Sequence, residues 1–274
     1  MDVSVIIVNY NTLDLTKGAI QSVYQRTLGC SFEIIVVDNH SDEDPSDIPR
    51  AFKDVKFIQS HKNVGFAAGN NLGIEQASGD YILLLNSDTL LKNDAISLVF
   101  NYLRSNSDVA VASAKLEYPD GVIQHVCQRF PGLKYQMIEL LRLQKFWSKE
   151  KRATVLLGAF FDHKTPCFAD WVWGTFFMFN RELLKQFPNG KLQETFFMYQ
   201  EDVEWCLHFS RLGFKIAYRP EAEVIHMMGG SNGPKNAMMK KNEEIFLKMH
   251  YSPWEIFLIR GLERMLKLSR LTKS

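Results

Sequence analysis

A chain of 274 residues and 31.6 kDa is long enough for a full hydrophobic core, in one large domain or in one domain with an attached lobe. Its net charge of +1 gives no general warrant for nucleic acid or for a strongly acidic partner, and its 20 phenylalanines predict aromatic-rich packing or an apolar groove in the second half. Four scattered cysteines (Cys30, Cys127, Cys167, Cys206) show no Cys-x-x-Cys spacing, which argues against a zinc or disulfide framework and for reduced, buried thiols in a cytosolic setting. No stretch approaches 18 uninterrupted apolar residues and the first residues lack the basic start of a signal peptide, so a cytoplasmic chain without a membrane span is expected.

Val3 to Val8 is apolar and β-branched and predicts a first strand, broken at Asn9-Tyr10-Asn11-Thr12. Thr12 or Asp14 is placed to cap a following helix with Leu15, Ala19, Ile20 and Val23 on its apolar side. Phe32 to Val37 predicts a second strand ending in Asp38-Asn39, Asp42 to Pro49 a polar loop, and Val55 to Gln59 a short strand. Asn63 to Ala77 reads as a glycine-containing loop opening into a helix. Tyr81 to Leu85 then has the continuous hydrophobicity of a central strand buried on both faces, and it ends abruptly in Asn86-Ser87-Asp88. Three β-to-helix units in ninety residues predict an α/β domain, doubly wound on a mostly parallel sheet with helices on both faces.

Ala95 to Leu103 predicts a further helix, Val109 to Leu116 a strand, and Pro119-Asp120-Gly121 a turn. The pattern loses regularity over 125–168, read as an insertion or lid over the sheet. Strand character returns at Val172 to Phe179, followed by a short helix at Arg181 to Phe187 and an amphipathic helix at Asp202 to Leu212. Lys215 to Tyr218 and Glu223 to Ile225 predict two short strands, and a final helical region runs from Pro253 towards Leu268. The expected division is a domain over 1–250, with a first half at 1–118 and a second half at 119–250. A basic amphipathic helix follows at 251–274.

Parallel strands end on one side of their sheet, so Asn9-Tyr10-Asn11, Asp38-Asn39 and Asn86-Ser87-Asp88 can converge there on a ligand. Two readings stand for each. Asp38 either accepts from a base or ribose or begins an Asx-type turn, and Asn86-Ser87-Asp88 either caps the next helix or lets Asp88 hold a hard divalent cation at a diphosphate. Asn63-Val64-Gly65-Phe66 with Gly69-Asn70-Asn71-Leu72-Gly73 matches neither a dinucleotide fingerprint nor a phosphate-binding loop. Glycines every four residues imply close approach, either to a ligand or to packed backbone. Glu201, Asp202 and Glu204 among aromatics either favour a helix N-terminus or supply a general base in an aromatic-walled cleft. His226, before Met227-Met228-Gly229-Gly230-Ser231, is structural, or a metal or phosphate ligand.

Taken together these stretches resemble the family 2 inverting glycosyltransferases, in their rhamnosyltransferase-like branch. Val5-Ile6-Ile7-Val8-Asn9-Tyr10-Asn11 is similar to the opening strand and nucleotide loop, Ile35-Val36-Val37-Asp38-Asn39 to the strand carrying the base-binding aspartate, and Leu85-Asn86-Ser87-Asp88 to the metal-binding Asp-x-Asp in an Asn-x-Asp form. Glu201-Asp202 resembles the late acidic motif, and His226 with Gly230-Ser231 the His-x-x-Gly-x-Ser stretch near the diphosphate. Two departures fall on the acceptor side: Glu204 stands where an aspartate is common, and Lys191-Leu192-Gln193-Glu194 replaces Gly-Phe-Asp-Glu.

The resemblance implies a nucleotide-sugar-binding glycosyltransferase fold of the A type, with 1–118 the nucleotide-binding half and 119–250 the acceptor-side half. It implies single-displacement transfer of a sugar, with rhamnose one choice, from a deoxythymidine- or uridine-diphosphate donor to a glycan or lipid-linked glycan in cell-envelope polysaccharide synthesis. In that reading Asp202 is the base and Asp88 with His226 binds Mg²⁺ or Mn²⁺. Asn9, Tyr10, Asn11, Asp38, Asn39, Asn63, Gly65, Asn70, Asn86 and Asp88 line the donor, and Trp171, Trp173, Gly174 and Glu201 the acceptor. A sugar-phosphate nucleotidyltransferase is disfavoured because no early Gly-rich basic triphosphate loop is present, and a silent binding subunit is disfavoured by Asp38, Asp88 and Asp202 occurring together. The C-terminal helix, with Trp254, Phe257, Leu258, Leu262, Met265 and Leu266 beside Arg260, Arg264, Lys267 and Arg270, suits peripheral contact with an anionic bilayer at the inner face of the cytoplasmic membrane, the catalytic domain, or a second subunit.

Overall fold

The structure, a computed structural model, describes residues 1–227 and 235–271. The apolar runs read above become β1 (Val3–Asn9), β2 (Phe32–Asp38), β3 (Lys56–Gln59) and β4 (Tyr81–Asn86), joined in the order β3-β2-β1-β4 by parallel ladders. Nearly all of β1 and β4 is buried, as runs without polar alternation require. Helices cover both faces. Ile6 and Val8 of β1 point at α3 (Phe66–Ile74), whereas Asn9 points the other way and bonds to Thr16 of α1 (Leu13–Arg26).

Beyond β4 the sheet becomes mixed. β8 (Phe176–Asn180) inserts antiparallel between β4 and β6 (Val109–Glu117), so the strand expected from Val172 begins four residues later. The two short strands expected at the end of the sheet are one, β9 (Lys215–His226), parallel to β6. Its pairing shifts between Arg219 and Glu223 around Pro220, which has no N–H for the ladder. A short β5 (Thr89–Leu91) pairs antiparallel with the end of β9 immediately after Asn86-Ser87-Asp88, and β7 (Cys167–Ala169) pairs antiparallel with its beginning, both on the edge of β9 away from β6. The triplet therefore turns the chain between two strands. Asp94, accepting from the Ser97 N–H, caps α4 (Ala95–Ser105) instead.

The polar loop expected before Pro49 contains one short helix, α2 (Asp47–Ala51). Between β6 and β7 lie α5 (Leu133–Leu140) and α6 (Lys149–Leu156), linked by single 3₁₀ turns. The acidic segment forms α7 (Glu201–Arg211). It is followed after β9 by α8 (Lys235–His250), which the sequence pattern does not announce, and by α9 (Pro253–Leu271). α5 packs along α9, with Gln136 Nε2 donating to Glu263 Oε1 at 3.4 Å. The expected aromatic packing centres on Trp205 of α7, fully buried with Phe66 stacked at 6.4 Å and Phe177 edge-on at 5.7 Å. Among the described residues no helix is long and apolar enough to cross a membrane, and all four thiols are free.

Candidate active site

The register of β1 places Asn9 opposite Asp38 and Val8 opposite Asn86, so the three polar strand ends do meet at one edge of the sheet. Asn9 Nδ2 donates to Asp38 Oδ1 at 2.7 Å and to Ser41 Oγ at 3.1 Å, while Asn9 Oδ1 accepts from the Thr16 hydroxyl at 2.8 Å. Asp38 Oδ2 accepts the Ser41 N–H at 3.2 Å, the Asx-type turn that was its alternative reading. The Thr12 hydroxyl, rather than capping α1, bridges Asn9 Oδ1 and Ser87 Oγ at 3.0 and 2.9 Å and thereby ties the first strand end to the third.

This changes the roles of several expected donor contacts. Asn9, Asp38, Asn39 and Asn70 are each at most 3% exposed, and their polar groups bond inward. Asn39 Nδ2 donates to Asn63 Oδ1 (2.9 Å) and to the Gly65 carbonyl (3.1 Å), and Asn39 Oδ1 accepts the Val64 N–H, so Asn39 and Asn63 shape the 63–65 loop. Asn70 donates to the Phe66 carbonyl of its own helix. These side chains form the floor of the site. Its open surface at the strand ends comes from exposed Tyr10 and part-exposed Asn11 and Asn86. Asn11 is fixed by two bonds with Asp42, and Asn86 Nδ2 reaches Thr175 Oγ1 at 3.4 Å.

Asp88 and His226 are brought together from positions 138 residues apart, with His226 Nε2 3.3 Å from Asp88 Oδ1. Gln124 settles how the imidazole is presented. Its Nε2 donates to the His226 carbonyl at 2.8 Å, so its oxygen faces Nδ1, also at 2.8 Å, and Nδ1 carries a proton. His226 Nε2 therefore meets the carboxylate either with a second ring proton or with a lone pair directed at a shared cation. A hydrogen bond at the far ring nitrogen of this kind fixes the orientation a histidine needs to ligate a metal. Among the described residues no three His, Cys, Asp or Glu side chains converge as a metal site, so Asp88 and His226 would contribute two donors and leave the rest to phosphate and water, as Mg²⁺ and Mn²⁺ accept. Gly230 and Ser231 lie outside the described residues.

The glycine stretch resolves into close packing. A Cβ at Gly73 would meet Ile6 Cγ2 at 2.5 Å, and one at Gly69 would meet Val8 Cγ1 at 3.2 Å, which is why α3 can lie against β1. Gly65 has φ +86° and abuts the backbone of Phe197, whose carbonyl accepts the Phe66 N–H at 2.8 Å. The Lys191-Leu192-Gln193-Glu194 departure docks on the same helix: Asn71 exchanges bonds with the Leu192 backbone and donates to Glu194 Oε1 at 2.8 Å.

From Phe197 the chain enters a strained turn, Tyr199 (φ +67°) and Gln200 (φ +83°), and then α7. Asn242 of α8 holds this turn by donating to the Met198 and Tyr199 carbonyls at 2.8 and 3.1 Å. Glu201 is buried, with one oxygen unpartnered among the described residues. Burial and the adjoining Asp202 raise its carboxyl above the usual glutamate range. Asp202 remains partly accessible. Its Oδ2 accepts the Gly174 N–H at 3.0 Å and its Oδ1 the Val203 N–H at 2.8 Å, yet enclosure by protein still raises its proton affinity. Glu204 is buried, accepting from the Thr195 hydroxyl at 3.1 Å with His250 Nε2 3.6 Å away.

On the expected acceptor side, Gly174 leaves room for Phe66 and touches Asp202, while Trp171 donates its indole N–H to the Arg129 carbonyl and Trp173 packs on the core. Both tryptophans keep part of their surface open. The short segment Gly174-Thr175 links the two halves of the site, because Gly174 N–H bonds to Asp202 while the Thr175 carbonyl accepts the Asn86 N–H at 3.0 Å. Gln124, Thr175 and Asn242 have no motif to mark them, and only their placement reveals them.

Residues 4–188 match the model of glycosyl transferase family 2. The chain belongs to this family. A hexosyltransferase of low-salt glycan biosynthesis, Agl10 of Haloferax volcanii, is 26% identical over 231 residues, covering 82% of this chain and 67% of that protein. Among solved structures, the mannosyltransferase PcManGT of Pyrobaculum calidifontis, determined with GDP-Man and Mn²⁺, overlays with a TM-score of 0.61 at 16% identity, covering 96% of this chain and 69% of that one. GalNAc-T7, determined with UDP, GalNAc and Mn²⁺, overlays with a TM-score of 0.64 at 16% identity, covering 90% of this chain and 48% of that one. The family 2 chain thus shares the glycosyltransferase A fold, and it spans about half the length of the last of these proteins.

Proposed function

We propose that this family 2 protein transfers a hexosyl or deoxyhexosyl unit, in the rhamnosyltransferase-like reading a rhamnosyl unit, from a nucleotide-diphospho-sugar to a hydroxyl of a glycan or lipid-linked glycan, with inversion at the anomeric carbon. The observation that carries this reading is the Gly174-Thr175 bridge. It keeps Asp202, a carboxylate with raised proton affinity and an accessible face, beside the strand end that leads through Asn86 to Asp88 and His226.

In this reading the nucleotide lies along the strand ends against Tyr10 and Asn11, above the buried Asn9–Asp38 floor. Asp88 and His226 would hold Mg²⁺ or Mn²⁺, which would supply positive charge against the departing diphosphate. The solved relatives that bind UDP or GDP-Man with Mn²⁺ support this part. Asp202 takes the proton of the acceptor hydroxyl at a carboxylate oxygen while that hydroxyl oxygen bonds to the anomeric carbon. The bond from that carbon to the diphosphate oxygen breaks, and the nucleoside diphosphate departs with its electron pair. The Gly174 and Val203 N–H groups fix the carboxylate for this task, and its raised proton affinity makes it a better base near neutrality than an ordinary aspartate.

The test is release of nucleoside diphosphate from a panel of uridine-, deoxythymidine- and guanosine-diphosphate sugars offered with glycan and lipid-linked acceptors, with Mn²⁺ and after chelation. Asp202→Asn is expected to lower transfer by about 10²–10⁴-fold while donor affinity is kept. Wild-type transfer by D202N, or binding of none of the donors, would reject the reading.

A further inference from the structure

We propose that α9 and the segment 134–152 form one surface that docks on an anionic lipid bilayer. Such docking would fix where the chain resides whatever reaction it catalyses.

The starting point is an apolar stripe that the fold leaves uncovered. At 100° per residue, Trp254, Phe257 and Met265 fall within about 80° of one another on α9, with Ile259 roughly opposite. Ile259 is buried against the body of the protein, so the docking of α9 is already satisfied on that side. Trp254 and Phe257 are nevertheless each 66% exposed, and they stack on each other at 5.5 Å. The neighbouring element repeats the pattern: just past α5, which packs along α9, Leu141 and Leu143 are exposed and Phe146 is 86% exposed. Single exposed apolar residues are ordinary, but large aromatic and aliphatic side chains concentrated on two mutually packed elements mark an interaction surface.

Charge selects the partner. Residues 134–152 carry six basic and two acidic side chains. This stretch holds a net +4 in a chain whose total is +1, which leaves −3 on the remainder. Aromatic and aliphatic groups interleaved with a strong local excess of lysine and arginine complement anionic headgroups over an apolar interior. A second copy of this chain paired symmetrically through this surface would instead set one basic face against another. Lys145 and Lys149 are exposed and make no ion pair among the described residues, so their charge is available to such a surface.

The test is co-sedimentation of the full chain with vesicles of phosphatidylcholine alone or with about one third phosphatidylglycerol. The expected result is binding to the anionic vesicles, weakened by raised salt, with little binding to the neutral ones. Trp254→Ser with Phe257→Ser is expected to weaken binding at least about tenfold, as is Lys145→Glu with Lys149→Glu, while Leu28→Ser, at an exposed leucine elsewhere, changes nothing. Thermal melting checks that each variant is folded, and the charge-reversal pair keeps the test valid if the aromatic pair fails. Equal recovery with anionic and neutral vesicles would overturn the proposal. So would a concentration-dependent dimer in analytical ultracentrifugation that W254S/F257S abolishes, since the stripe would then be a self-interface.

Discussion

Replacing Gly65 by alanine probes the contact that joins the donor half of the site to the acidic helix. Gly65 has φ +86° and ψ −176°, a region essentially reserved for glycine, and forcing another residue into it costs about 1–3 kcal/mol. The new Cβ would stand 2.2 Å from the Phe197 carbonyl oxygen and 2.8 Å from the Phe197 ring, too close for the loop to remain seated. Parting the two segments also breaks the 2.8 Å bond from the Phe66 N–H to that carbonyl, worth about 1 kcal/mol. The sum, about 2–4 kcal/mol, corresponds to a fall of roughly 5–15 °C in melting temperature for a protein of this size. Thermal melting and urea midpoints give the readout, with Gly121→Ala as the control. Gly121 has φ +84° but nothing within 4 Å of its would-be Cβ, so that variant carries a positive-φ cost without the clash. Transfer activity should fall in G65A as well, because Phe197 leads directly into the turn that presents Asp202. A G65A protein that melts no lower than G121A would refute close approach as the reason for glycine at this position.

Glu201→Gln tests the buried acid. Because the folded protein holds the Glu201 proton more tightly than the unfolded chain does, the contribution of that proton to stability is present below the ordinary glutamate value and is lost as pH rises through the raised one. E201Q should therefore gain in melting temperature relative to wild type between about pH 5 and about pH 9, and a difference that does not vary with pH would count against the assignment. The raised Asp202 carboxyl likewise places the acid limb of the transfer rate above the ordinary aspartate range, read from a pH–rate profile; a limb at the ordinary value would remove Asp202 as the titrating base. Asn242→Ala leaves the Met198 and Tyr199 carbonyls without their donor, for a loss of about 1–3 kcal/mol in urea unfolding and a lower kcat at unchanged donor affinity. Gln124→Leu removes the group that fixes the His226 tautomer and should raise the Mn²⁺ concentration for half-maximal turnover about 10–100-fold; an unchanged requirement would separate His226 from the metal.

Much of the first half was legible because its signals are local. Runs such as Val5 to Val8 and Tyr81 to Leu85 carry no polar alternation, so they have to be buried on both faces, and parallel strands so buried must end together at Asn9, Asp38 and Asn86. Where burial is set by distant partners, the sequence misleads or says nothing. Asn70 is as polar as Asn86, yet its neighbours turn it into its own helix. The strand β8 looks like any apolar strand, and nothing local reveals that it runs antiparallel between β4 and β6. The helix α8 has no strong periodic face, because what orders it is contact with the turn before α7 and with Phe196 and Val203.

The sequence by itself therefore determined the α/β class, the glycosyltransferase resemblance and the residue types at the site, since these follow from hydrophobic runs and short motifs. Only the tertiary structure decided which of those polar residues face the cleft and which lie beneath it. It also decided that Gly65 meets Phe197, that Gln124 sets the proton on His226, and that Asn242 braces the turn before Asp202. Each of these depends on side chains separated by more than forty residues along the chain, and a hydrogen bond or a van der Waals clash acts only between atoms that the fold has already brought within a few ångströms.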